Sequence, residues 1–336
     1  MKETLFMRQL GIYFEDFLPV NQKRSKHTIA AYSHSFALFF KFLHEAKNMP
    51  HYLVDYKHLT VQLFDEFLAW LEKERNCSAA TKRARMSAIT SFLKYASRRE
   101  MAALKACNAA MVMGLPRVAH NSFPYFTVEE IRIILNLPDA RTRLGGRDLV
   151  LLSLLYDSAA RAQELCDLCV DDIKFGNPTK VKLLGKGKKM REVPVSEEVA
   201  RLVKYHIQRN GLEKKSPLFS SQTREKMTVA CMRNLTNKYV KIAKQKHPAL
   251  FNEPKYSPHS FRHSKAIHML EAGTALVYIR NFLGHSSIQS TEVYARVNHQ
   301  AVEKALANRK IPRLSPSNAP ANAEYVALPT FLIAQR

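Results

Sequence analysis

From Thr28 to Ala96 the apolar residues recur three and four positions apart, a spacing that only helices can use to build a core. In HTIAAYSHSFALFFKFLHEA, Ile29, Tyr32, Phe36, Phe39 and Leu43 share one face, and in TVQLFDEFLAWLEKE the face is Phe64, Phe67, Leu68 and Leu71 behind Thr60 as N-cap. The stretch SAATKRARMSAITSFLKYASRRE turns Ile89, Phe92, Leu93 and Ala96 inward and carries Lys82, Arg83, Arg85, Arg98 and Arg99 with almost no acids to balance them. Periodicity lapses from Met113 to Tyr125, where Pro116 and Pro124 stand, and TVEE (Thr127 to Glu130) then has the spacing of a capping box. The pattern predicts a helical domain over 1–112 and a linker over 113–125.

The second unit, 126–312, mixes periods. LVLLSLLY (149–156) is wholly apolar, too short to cross a membrane, and reads as a buried central helix. Strands are expected around Val170 to Lys174, Lys180 to Leu184 and Glu192 to Val195, the last two joined by GKGKK. The predicted fold class is therefore mainly α with a small antiparallel β-sheet and a lysine-rich hairpin tip. Residues 313–336 are a Pro/Ser/Asn/Ala linker and a short apolar end, an arrangement typical of a tail that docks onto something else.

Charge narrows the partner. With 52 Lys and Arg against 29 Asp and Glu, the net charge is +23, which calls for a polyanion. The excess is spread along the chain and not gathered in one flank, which favours nucleic acid over an acidic membrane surface. Five cysteines form an odd set, and the Cys166–Cys169 pair has no second ligand pair nearby, so a reduced, cytoplasmic protein is expected, with neither export nor a membrane span.

In SPHSFRHSKAIHMLEAG, Ser257 is a candidate N-cap, Pro258 stands in the first turn and Gly273 follows the end. His259 and Arg262, three apart, then share a face beside the positive end of the helix dipole, where an anion such as phosphate is stabilised. A mere capping role for His259 and a surface ion pair for Arg262 would use the same residues. NFLGHSSIQSTEVYARV next predicts a helix ending at Gly284, then His285, then a serine-started helix bearing Tyr294, with Ser286 and Gln289 in capping-box spacing.

The order Arg161 (AARAQEL), Lys186 (GKGKK), His259 and Arg262 (HSFRH), His285 (LGHSS) and Tyr294 (VYARV) resembles that of the tyrosine site-specific recombinases, the group of Xer proteins and phage or transposon integrases, over residues 5 to 310. The resemblance implies an N-terminal helical core-binding (SAM-like) domain and an α+β catalytic domain that close around duplex DNA. It implies that Tyr294 attacks the scissile phosphate, giving a 3′-phosphotyrosine and a free 5′-hydroxyl. Arg161 and Arg262 would neutralise the non-bridging oxygens, a task suited to planar guanidinium forks, with Glu164 orienting Arg161. Lys186 would protonate the departing 5′ oxygen, His259 would help take the tyrosine proton, and His285 would hydrogen-bond a phosphate oxygen. No metal and no cofactor are implied. Lys188 and Lys189 flank Lys186 and, with Lys82, Arg83 and Arg85, are expected to contact DNA. Helical phase turns His263 away from Arg262, so packing or a backbone contact is expected of it. Ala159 stands in DSAAR where the family commonly has glycine, so that turn must avoid positive φ or accept strain.

The implied activity is strand exchange between paired recombination sites in double-stranded DNA by a homotetramer, through a Holliday junction, at the bacterial nucleoid. The basic balance, DSAAR and the tail favour a mobile-element integrase or transposase over Xer-type chromosome or plasmid dimer resolution. A type IB topoisomerase uses similar groups, but the separate helical domain and the tail speak against it. A DNA-binding regulator without chemistry is the reading of another class, opposed by the presence of all six positions. A metal site of His259, His263 and His285 lacks a nearby carboxylate or cysteine pattern.

Overall fold

The computed structural model describes residues 3–115, 123–185, 189–221, 226–285 and 287–297, and internal packing divides the chain into Met1–Asn121 and Ser122–Arg336. In the first unit α1 (Leu5–Ile12) runs into a π-helical segment, Tyr13–Asn21, followed by α2 (Lys26–Lys47), α3 (Val61–Lys73), α4 (Ala79–Ala96) and α5 (Ala102–Val112). Side-chain caps set the starts: the hydroxyls of Ser25, Thr60 and Ser78 accept the N–H groups of Thr28, Leu63 and Thr81. Phe36, Phe39 and Leu43 are buried, whereas Ile29 and Tyr32, near the start of α2, are only partly covered. At the centre lies Phe92 of α4, fully buried, its ring centroid 5.2 Å from Phe6, 5.4 Å from Tyr13 and 5.6 Å from Phe36. The edge-to-face contacts suit the ring quadrupoles.

The second unit is built on α7 (Arg143–Asp157), whose Leu151, Leu152, Leu154 and Leu155 are completely buried. Before it comes α6 (Val128–Leu135), opened by a capping box in which Thr127 and Glu130 exchange hydrogen bonds; after it comes the short α8 (Ala162–Cys166). Strands β1 (Ile173–Lys174), β2 (Lys180–Leu184) and β3 (Met190–Pro194) form an antiparallel sheet in the order β1-β2-β3, with Val181 opposite Val193 and Leu183 opposite Arg191. The first expected strand is cut to two residues because Val170–Asp172 forms a 3-10 turn, held where the Asp172 carboxylate accepts the Cys169 N–H at 3.0 Å. That local bond competes with a strand ladder. The third strand starts two residues earlier than expected. Helices α9 (Glu197–Arg209), α10 (Val229–Lys246), α11 (Pro258–Glu271), α12 (Leu276–Leu283) and α13 (Gln289–Val297) follow. Among the described residues no helix is long and apolar enough to cross a membrane.

Truncating the ring at the centre of the first unit should be costly, because a cavity forms where five rings meet. Phe92→Ala is expected to lower that unit's unfolding free energy by about 3–5 kcal/mol, read as a shift in its urea midpoint.

Candidate active site

Arg161 is the N-cap residue of α8, and Glu164 lies three residues on, one helical turn away. Glu164 Oε2 accepts the Arg161 N–H at 2.8 Å, and Oε1 accepts from Arg161 Nη1 at 2.8 Å. A second guanidinium, that of Arg191 on β3, donates to the same carboxylate from Nη1 at 2.9 Å and Nη2 at 2.8 Å. Burial pushes the Glu164 carboxyl up, but the bonds and charge of Arg191 and Arg161 more than reverse this, leaving it below the ordinary carboxylate value.

Arg262 sits in the first turns of α11, 3% exposed. Its Nη1 donates to the Ala159 carbonyl at 2.7 Å and its Nη2 to the Leu283 carbonyl at 2.6 Å. Burial and the charges of Arg161 and Arg191 lower its pKa to about 10, so it remains cationic at neutral pH. Ala159 accepts the strain its sequence context made an alternative: its φ is +46°, in the left-handed region that costs an alanine roughly 1–2 kcal/mol. That turn carries the carbonyl that meets Arg262. Arg191 Nε donates to the neighbouring Phe282 carbonyl at 3.1 Å, so two guanidinium groups occupy the negative end of α12.

Tyr294 on α13 is 3% exposed, with its ring 5.1 Å from Phe123 and parallel to that of His285 at 6.5 Å. Its hydroxyl lies 3.0 Å from His263 Nδ1 and is hydrogen-bonded to it. The expectation for His263 is thereby corrected: where packing or a backbone contact was expected, α13 brings the tyrosine hydroxyl onto its ring. Burial pushes the Tyr294 hydroxyl up, against the pull of Arg262 and Arg161. His285, placed by the left-handed Gly284 (φ +66°) at the end of α12, bonds through Nδ1 to Thr291 Oγ1 at 3.0 Å. Burial, then neighbouring positive groups, lower both His263 and His285 to about 4. His259 is exposed one turn before His263, with ring centroids 6.5 Å apart; desolvation and Arg262 lower it too.

Lys82 is placed differently from the expected DNA contact: it is buried and paired with Glu72, because the turn between α3 and α4 folds its amine back onto the preceding helix. Arg83 is exposed, and Arg85 is half-buried with Nη1 on Ser35 Oγ at 3.3 Å. Lys189 is exposed beside the hairpin bond from the Gly185 N–H to its own carbonyl. Lys186, Lys188 and the 313–336 tail lie outside the described residues, as does Ser286; the Gln289 N–H bonds instead to Ser287 Oγ. Sequence reasoning missed Arg191, His263 as a tyrosine partner, Phe123 and Thr291. Arg191 did leave a signal: in MREVP it shares a strand face with the buried Val193.

Arg161 and Arg191 share a single carboxylate and Arg262 pairs with none, while His263 and His285 are uncharged at pH 7. The excess of two positive charges matches the two negative charges of a five-coordinate phosphodiester transition state. The phenol of Tyr294, within the same cluster, is a group that can act as a nucleophile.

The phage integrase family profile matches residues 124–301, and that of the phage integrase N-terminal SAM-like domain matches residues 12–100. The tyrosine recombinase XerC of Myxococcus xanthus is 30% identical over 303 residues, covering 87% of this chain and 94% of that protein. A tyrosine recombinase of Pseudothermotoga lettingae is 29% identical over 289 residues, covering 85% and 93%. In fold, the chain is similar to the XerH site-specific recombinase bound to palindromic difH substrate (TM-score 0.68, 20% identity, 85% and 81% covered). It is also similar to the Tn1549 transposon integrase in complex with transposon right end DNA (TM-score 0.64, 16% identity, 89% and 99% covered).

Glu164→Gln removes the one charge that compensates two guanidinium groups, and a stability loss of about 3–5 kcal/mol is expected in urea unfolding. The histidines give a pH dependence. In the unfolded chain they take protons below about 6.5, whereas native His263 and His285 stay neutral until about 4. Stability should therefore fall as pH drops from 6.5 toward 4, on the order of 1 kcal/mol or more per ring. Comparing urea midpoints at neutral and acidic pH checks this, and His263→Phe should flatten the dependence.

Proposed function

Because this chain belongs to the phage integrase family, the tyrosine recombinases that cleave and rejoin DNA strands, we propose that it exchanges strands between paired recombination sites in double-stranded DNA, in the integration, excision or transposition of a mobile element. The exchange runs through a 3′-phosphotyrosyl intermediate and a Holliday junction. The observation that carries the chemistry is the clustering of Tyr294 and His285 with guanidinium groups held by Glu164 and by the Ala159 and Leu283 carbonyls.

In this reading Tyr294 is the nucleophile and Arg161 and Arg262 grip the phosphate, with Glu164 holding Arg161 in place. His285 donates to a phosphate oxygen, Lys186 protonates the leaving 5′ oxygen, and the exposed His259 helps accept the tyrosine proton. The phosphotyrosine keeps the bond energy of the broken diester, so no nucleotide cofactor is needed, and guanidinium forks supply the charge that a metal supplies in other phosphoryl-transfer sites. The near-complete burial of Tyr294 and its bond to His263 support a DNA-triggered step: α13 must shift before the hydroxyl meets a phosphate. Arg83, Arg85, Lys188 and Lys189 are proposed DNA contacts. Four protomers synapse two sites, with residues 313–336 docking on a neighbour.

The similarity to proteins named tyrosine recombinase XerC supports a second reading, resolution of chromosome or plasmid dimers. Nicked duplexes carrying the DNA junctions of the protein's own locus, incubated in EDTA, test the chemistry. Wild type should form a denaturant-resistant protein–DNA adduct, and Tyr294→Phe should bind the duplex and form none; binding without adduct in wild type would instead mark a regulator. Plasmids with two directly repeated sites separate the roles. Insertion into a second molecule is expected here, whereas resolution alone would favour the XerC-like reading.

A further inference from the structure

We propose that Arg191 is a positioning residue of the strand-transfer site, fixing the Glu164 carboxylate and the end of α12 in one arrangement so that Arg161, Arg262 and His285 meet the same phosphate. The proposal rests on the recombinase reading above. Arg191 is 11% exposed and joins three separate segments of chain: its Nη1 and Nη2 reach Glu164 in α8, and its Nε reaches the Phe282 carbonyl at the end of α12. With the Arg161 bonds, this brings the carboxylate to four accepted hydrogen bonds, its full capacity. Glu164 therefore has no freedom left with which to mis-aim Arg161. At α12 the next carbonyl, Leu283, is the one that holds Arg262, and His285 follows two residues later.

The close fit at residue 284 points the same way. A Cβ at Gly284 would lie 2.8 Å from Arg191 Cδ, so this turn has room for the arginine only because it is glycine, whose φ of +66° a side chain would also resist. A lysine could keep the charge but not the planar, three-way donation. A residue that only stabilised the fold would affect melting temperature without separating binding from cleavage.

Three variants in the full-length protein decide it. Arg191→Lys keeps the charge and loses the fork, Arg191→Met removes both, and Gly284→Ala displaces the side chain while leaving its charge. Arg191→Lys is expected to bind the nicked duplex within about threefold of wild type yet form adduct on the order of 100-fold more slowly. In Arg191→Met without DNA, His285 should titrate at a higher pH by NMR, since Arg191 is among the charges that hold its pKa down after burial. Should the Arg191 variants fail to fold, Gly284→Ala is expected to show the same slowed cleavage with retained binding. Adduct formation at near wild-type rates, or affinity falling in step with cleavage, would each overturn the assignment. Absence of adduct in wild type would sink the recombinase reading instead, and the His285 titration would still decide whether Arg191 tunes the cluster.

Discussion

The carboxylate of Glu164 is the group that water must leave behind for this site to exist. At 4% exposure it is tolerable only because hydrogen-bond donors fill every direction it offers. Each donor commits a piece of backbone: the N-cap of α8 through Arg161, the register of β3 through Arg191, and through Arg191 also the end of α12. A small sheet and two short helices, none of which would be stable alone, share one apolar cluster and are tied at their polar ends by a single buried charge. The leucine-rich α7 supplies the apolar mass of the unit, but not the specific alignment of these segments.

Around that anchor the charges are unequal in a purposeful direction. Arg262 donates to two neutral carbonyls and not to an acid, so its charge is satisfied in geometry but not cancelled. The same positive surroundings, added to burial, keep His263 and His285 neutral. Neutral imidazoles can hydrogen-bond an oxyanion or a phenol without adding to the repulsion among the arginines. The left-handed Ala159 belongs to this economy too, since the strained turn delivers one of the two carbonyls.

Much of this was readable beforehand, and the failures have identifiable physical origins. Helices α3 and α4 could be placed within a few residues because burying Phe64, Phe67, Ile89 or Phe92 imposes the helical period on the chain itself. The opening of α11 was legible from Ser257 and Pro258, whose preferences are local. Lys82 was not, since a charge pattern cannot distinguish an amine facing solvent from one folded back onto Glu72. Nor was His263: helical phase says which way a side chain leaves its own helix, and nothing about what another helix brings there. The first strand failed through a competing local bond at Asp172. Arg191 was overlooked although strand alternation set it beside Val193, a charged residue on an inward face.

The sheltered phenol of Tyr294 bears on fidelity. If Tyr294 is the nucleophile, as proposed, then packed against Phe123 and bonded to His263 it cannot react with whichever duplex happens to brush past the arginines. Each 1.4 kcal/mol needed to uncover it makes an accidental nick about tenfold rarer. A correct site can repay that cost through contacts distributed over many base pairs, whereas a random one repays only a fraction. Sequence discrimination can then operate on the decision to cut as well as on the decision to bind, so that a protein attracted to all DNA by its charge still leaves nearly all of it intact.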